Sequence, residues 1–276
     1  MKLTRSTRAG LLLLACLGGI SIPAHGRQVS LEPTSLELSG APGSREHALV
    51  TLQNDSAAET IELTIGLADW SISADGQLDL EPPGIAPGSM ADWVRFSPAY
   101  VSLAPGEARE ILVDIKIPDT ASPATSNRTA LLASAIAPVS TTDGGSLLRK
   151  IEETSLIYLT GRDAESLPVI ESITRVLLAD GSTALRLEVS NTGTAHARLQ
   201  GMISMDANGA STSLPLASLV VLPETRRTFL VPLDQPIPEN AMVSASLANT
   251  HAPQHESGRA DLVRYSAPLG EAAPLR

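Results

Sequence analysis

The sequence predicts an all-β chain of two sandwiches in tandem, and three observations carry that expectation. Apolar and polar residues alternate with a period of two over many short runs. Turn-forming residues interrupt these runs roughly every 8 to 15 positions. No stretch keeps a helical period.

Gln28 to Leu38 reads as a first strand, interrupted at Pro33, which marks an edge strand or one that switches sheets because proline has no N–H to donate. After the turn Ala41–Ser44, Ala48, Val50 and Leu52 alternate with Leu49, Thr51 and Gln53. The turn Asn54-Asp55-Ser56 leads into Thr60–Trp70, where Ile61, Leu63, Ile65 and Leu67 share a face. Asp75-Gly76 is a hairpin signal. Leu80–Met90, rich in Pro and Gly, reads as a surface loop. The stretch Val94–Pro118 is the clearest: an extended run, a turn on Ala104-Pro105-Gly106, then Ile111, Val113, Ile115 and Ile117 on one face, with Pro118 as the stop. Asn127–Pro138 and Leu147–Leu159 complete about seven strands, the expectation for an immunoglobulin-like sandwich over residues 27–162.

Gly161–Pro168 reads as a linker. Residues 166–267 are expected to form a second immunoglobulin-like sandwich, beginning with a hairpin from Ile170–Leu178 through Asp180-Gly181 to Ala184–Val189. A weak internal repeat supports it. Val50–Ala58 is echoed by Leu187–Ala195, and Leu103–Arg109 by Val221–Arg227, although common turn chemistry would also produce such echoes. Residues 268–276 show no pattern and are expected to be a loose tail.

The first 26 residues have the layout of a signal peptide: Lys2, Arg5 and Arg8, an apolar run Leu11–Ile22, and small residues at Ala24 and Gly26, with cleavage expected after Gly26. A lipid-attachment site at Cys16 is the competing reading. No later segment is apolar enough to span a bilayer, so the expected destination is the periplasm. Cys16 is the only cysteine, so a cleaved chain has no disulfide, thiolate site or Cys nucleophile. Losing Lys2, Arg5 and Arg8 takes the 20 basic residues to 17 against 30 acidic ones, and the formal net charge from −10 to −13. With no basic cluster, nucleic acid is excluded as a partner.

Chemistry is sparse. There is no Gly-x-Ser-x-Gly elbow, phosphate-cradling loop or His-Glu-x-x-His, so no enzyme, cofactor or metal site is expected. His251 and His255 are four apart, but Pro253 argues against a helix between them. Asp75, Asp79 and Glu81 lack calcium-loop spacing. Trp70 and Trp93 read as core anchors.

Val29–Leu38, Ala48–Trp70 and above all Phe96–Arg109 together resemble the PapD-like periplasmic chaperones of pilus assembly, a likeness covering most of residues 28–160. The resemblance implies two immunoglobulin-like domains and an edge strand, late in the first, that lends alternating side chains to an incomplete fimbrial subunit by β-augmentation. It implies a pilus subunit as partner and an outer-membrane usher as a further one. The donor strand would be Leu147–Leu159, with Leu148, Ile151, Leu156 and Tyr158 as apolar candidates. The family's cationic anchor for the subunit's terminal carboxylate falls here on Ser35 and Ser155, neither of them charged; Arg149 and Lys150 are nearby, offset by Glu152 and Glu153. Leu148, Lys150, Ile151, Ser35 and Ser155 are thus the subunit-binding candidates. The alternative is a structural or adhesive module of an exported surface assembly.

Overall fold

The computed structural model describes residues 28–140, 145–233, 235, 237–238, 240–251, 262–270 and 273–274. The expected signal peptide with Cys16, and His255, lie outside the described residues. Among the described residues the only helical segment is one turn, Ala91–Trp93, and no helix is long and apolar enough to cross a membrane.

The front half holds ten strands: β1 (Val29–Glu32), β2 (Ser35–Gly40), β3 (Arg45–Asn54), β4 (Ile61–Ile72), β5 (Leu78–Glu81), β6 (Val94–Ser97), β7 (Tyr100–Leu103), β8 (Ala108–Lys116), β9 (Ser126–Ser140) and β10 (Ser146–Gly161). One sheet runs β1-β3-β8-β6. The other runs β2-β10-β9-β4-β5, with β7 also paired to β4. The alternation read from the sequence decides which side chains meet between them: Val50, Leu52, Ile61, Leu63, Ile111, Val113, Ile115 and Ile157 are all buried in one core. Pro33 does what its position implies, because β1 pairs with β3 in one sheet while β2 crosses to pair, parallel, with β10 in the other.

Val94–Leu103 departs from the expected single run. Pro98 cannot continue a ladder, and the chain changes sheets there: β6 pairs with β8, β7 with β4. The turn at Ala104–Gly106 therefore crosses between sheets rather than closing a hairpin.

The rear half holds β11 (Pro168–Leu177), β12 (Thr183–Asn191), β13 (Ala197–Ala207), β14 (Ala210–Val221), β15 (Thr225–Pro232), β16 (Met242–Asn249), β17 (Leu262–Pro268) and β18 (Ala273–Pro274). Its sheets are β15-β12-β11-β18 and β14-β13-β16-β17, around a second core that includes Leu185, Leu187, Val189, Ile203, Val243 and Leu247. The end of the chain is not loose over its described part. Leu269 is buried in that core and Ala273–Pro274 pairs parallel with β11, since an apolar side chain and an open sheet edge both lie within reach. Nor does the expected linker hang free: Gly161 and Asp163 N–H donate to the Thr125 and Pro123 carbonyls, and Thr194 N–H to that of Glu165.

The repeat seen in the sequence has a structural cause. Asn54, ending β3, is buried and its Nδ2 donates to the carbonyls of Glu59, Leu103 and Ala104, while Oδ1 accepts from Ser56 N–H. Asn191, ending β12, is buried too; its Nδ2 donates to the carbonyls of Ala195, Val221 and Leu222, and Oδ1 accepts from Gly193 and Leu167 N–H. In each half one amide ties the first echo to the second, so both must keep their Asn.

Candidate functional site

Two features stand out, a sheet edge on β10 and a polar cluster between the sandwiches.

β9 and β10 form a long antiparallel hairpin, but β4 accompanies β9 only from Ala130 to Ser134. The arm beyond, Ala135–Ser140 against Ser146–Ile151, therefore extends past β4. On its outer rim β10 meets β2 only from Leu156 to Gly161. Among the described residues no strand pairs with Ser146–Ser155 on that side. Leu156 N–H donates across the rim to the Thr34 carbonyl, and strand backbone alternates direction with a period of two. The N–H and C=O groups of Leu148, Lys150, Glu152 and Thr154 therefore face the open rim as well.

The candidate residues divide along this strand. Leu148 is 77% exposed, and Ile136, its diagonal neighbour on the same face, is 70% exposed. Lys150 ion-pairs with Glu152 at 2.7 Å, the offset that the sequence suggests. Ile151 takes the opposite face and packs against the front core. Arg149 donates to the Gln28 side chain. Ser35 begins β2 opposite Leu156, and Ser155 beside it is buried with its hydroxyl donating to the Pro33 carbonyl at 2.6 Å. Ser35 and Ser155 thus meet where β2 takes over the rim, some way from Leu148. Leu156 and Tyr158 lie beyond the open stretch, turned toward the second feature.

That feature is a column of rings. Trp70 and Tyr158 of the front sandwich stand edge to face at 5.0 Å; Tyr158 lies 4.2 Å from His196 of the rear sandwich; His196 stacks on His251 at 3.8 Å. Leu222 closes the apolar side. Trp70 Nε1 donates to the Thr129 carbonyl at 2.9 Å. Trp70 is thus buried as expected, although in a separate cluster with Ala130 and Tyr158 of its own sandwich and Leu222 of the rear one rather than in the front core.

Glu37, projecting from β2, meets the rear sandwich here. Its Oε1 accepts from Arg198 Nη2 at 2.5 Å, and its Oε2 lies 3.0 Å from His196 Nε2 and 3.5 Å from His251 Nδ1. Burial pushes the Glu37 carboxyl up, but contact with His196 and then Arg198 outweighs it and holds the group below the usual carboxylate range. Burial drives the Tyr158 phenol up to about 12. Burial, then the charge of His196, drives His251 down to about 4. The unfolded chain therefore takes up a proton on His251 first, so its contribution is complete above pH 6.5 and is lost as the pH falls toward 4. Thermal melts from pH 7.5 to 4.5 should show a decline on the order of 1–2 kcal/mol. His251→Asn should flatten that decline; an equal slope in the variant would assign it to other groups.

His196 and Glu37 carry no spacing signal: Glu37, His196 and His251 are far apart in the chain, and only the packing of the two sandwiches joins them.

No family model matches the chain, and no curated protein matches it. Solved structures do resemble it over most of its length. A class 5 fimbriae chaperone, CfaA, is 15% identical, with 87% of this chain and 100% of that one covered at a TM-score of 0.44. The YadV chaperone is 10% identical, with 88% and 100% covered at 0.46. A chaperone–tip adhesion subunit complex of Csu pili from Acinetobacter baumannii, CsuC–CsuE, gives 12% identity, 90% and 99% coverage and 0.45. At such identities and TM-scores the functional reading rests on the strand order and side chains of the chain itself.

Proposed function

We propose that the chain, divided as 27–162 and 166–267, is a periplasmic chaperone or chaperone-like accessory protein for a fimbrial subunit, which it holds by β-augmentation along β10. One observation carries the reading. Ser146–Ser155 offers a row of outward backbone donors and acceptors on an arm that extends past its own sheet, with Leu148 and Ile136 exposed beside it. Such an edge invites aggregation, and a chain that keeps one open has a use for it. The direction of β2 adds detail. An incoming strand running parallel to β10 continues the line of β2, and its C-terminus arrives at Ser35 and Ser155. Leu148, Lys150 and Ile151 flank its path. Neither serine is cationic, and Arg149 and Lys150, five to six residues back along β10 or about 17–20 Å away, flank the middle of the guest rather than its terminal carboxylate. Release of the subunit would follow its delivery to an outer-membrane usher.

The test uses the geometry of the rim. Lys150→Pro removes an outward N–H and leaves the β9 ladder intact, so its stability should stay within about 1 kcal/mol of the parent, as edge strands tolerate proline. In a periplasm co-expressing candidate fimbrial subunits, the parent chain should yield a 1:1 complex and Lys150→Pro at least tenfold less. Equal subunit recovery without the chain, or with Lys150→Pro, would overturn the proposal. Protection of the outward Leu148, Lys150 and Glu152 amides from hydrogen exchange in the free chain would favour a structural module instead.

A further inference from the structure

We propose that Glu37, His196 and His251 form a site for a borderline divalent metal ion of the zinc type, which clamps the two sandwiches together. The three residues each place a ligand atom within 4.8 Å of the others. A tetrahedral ion with bonds of about 2.0–2.2 Å needs its ligand atoms roughly 3.3–3.6 Å apart. Glu37 Oε2 lies 3.5 Å from His251 Nδ1, inside that range, and 3.0 Å from His196 Nε2, about 0.3 Å short of it.

The surroundings favour a cation at this point. His196 is 1% exposed, and both of its ring nitrogens are buried without a hydrogen-bond partner. Its Nε2 is near enough to Glu37 for an ion pair but off the geometry of a hydrogen bond. A buried polar nitrogen left unbonded costs about 1–3 kcal/mol, which metal ligation of Nε2 would relieve. Thr160 on β10 lies with Oγ1 2.9 Å from His251 Nε2. When the threonine accepts that bond, Nε2 carries the proton and Nδ1 turns a lone pair toward the carboxylate oxygen. Two lone pairs facing each other repel unless a cation sits between them. This is the arrangement in which an outer hydrogen bond sets the tautomer of a metal-binding histidine. Arg198, also bonded to Ser218, holds Glu37 Oε1 and so aims Oε2 at the imidazoles.

Two imidazoles and a carboxylate, without a thiolate, suit Zn²⁺, Ni²⁺ or Cu²⁺ rather than Ca²⁺ or Mg²⁺. Only three protein ligands are present, which leaves the fourth position to water. The charge of Arg198 opposes the ion, so micromolar affinity is expected rather than the tighter binding of an all-anionic site. The inference is independent of the rim on β10, because Lys150→Pro leaves every ligand in place.

Zinc titrated calorimetrically into the chelator-stripped mature chain should bind at one equivalent and raise Tm. Cobalt should give the visible absorption of a four-coordinate site. His251→Ala and Glu37→Gln should each weaken zinc at least tenfold and abolish the rise in Tm. His47→Ala, in the other front sheet, should change nothing. Glu37→Gln keeps the shape of the side chain and decides the matter should His251→Ala misfold. Absence of stoichiometric uptake, or uptake unaltered in both ligand variants, would overturn the proposal. So would a chain that ignores zinc and merely loosens in acid, which would make the cluster a proton site.

Discussion

Asn191→Ala is expected to destabilise the rear sandwich by about 3–5 kcal/mol. The substitution leaves the carbonyls of Ala195, Val221 and Leu222 without their shared donor and the Gly193 N–H without its acceptor, all at a buried site, and the part-buried Leu167 N–H without its acceptor as well. Each orphaned buried group costs about 1–3 kcal/mol, less whatever water recovers. Asn191→Asp should be no milder, because it turns a carboxylate oxygen toward three carbonyls where an NH₂ had been. Asn54→Ala should cost a similar amount in the front sandwich, where the amide serves Glu59, Leu103 and Ala104. Urea unfolding is the measurement. A loss under about 1 kcal/mol in both variants would mean that the turns hold without their amides, and that the repeat has no shared structural cause.

The second large effect is expected at Trp70. Trp70→Ala removes a fully buried indole, its donation to Thr129 and the first ring of the column that reaches His251. Truncation of a buried aromatic residue costs about 3–5 kcal/mol. Here the loss falls on the junction rather than on either core, since Trp70 packs with Tyr158 and Leu222 and belongs to neither main cluster. Calorimetry should therefore resolve two transitions in the variant where the parent shows one. Trp70→Phe should keep a single transition and lose only about 1–2 kcal/mol, the value of the indole hydrogen bond. A single, uniformly lowered transition in Trp70→Ala would place the residue in the front core instead.

The strands of this fold were largely legible because their period is two. The core positions Val50, Leu63, Ile111, Val113 and Leu187 follow from alternation alone, and Pro33 announced the change of sheet by its missing N–H. Sheet membership was less legible. Pro98 lacks an N–H as Pro33 does, but nothing local in Phe96–Leu103 tells which sheet each side joins, because pairing partners are distant in sequence. Trp70 was readable as buried but not as interfacial: within β4 it has the parity opposite to Ile61, Leu63 and Ile65, and which neighbour covers that face depends on the other sandwich. The polar cluster was the least legible part. His251 drew notice for its distance from His255, whereas its partners in space are Glu37 and His196, and no spacing rule reaches across two cores. On β10 the family resemblance implied an open donor edge, but nothing in the residues told that β2 would cover one part of the strand and leave the other bare.

That division sets a ruler. The bare stretch Ser146–Ser155 has ten positions, and at about 3.3 Å per residue it offers a slot roughly 33 Å long. A guest segment much longer than ten residues must overhang the hairpin tip or peel β2 away, and peeling β2 would pull Glu37 from between the two halves. Occupancy at one end of the molecule would thereby be felt at its waist.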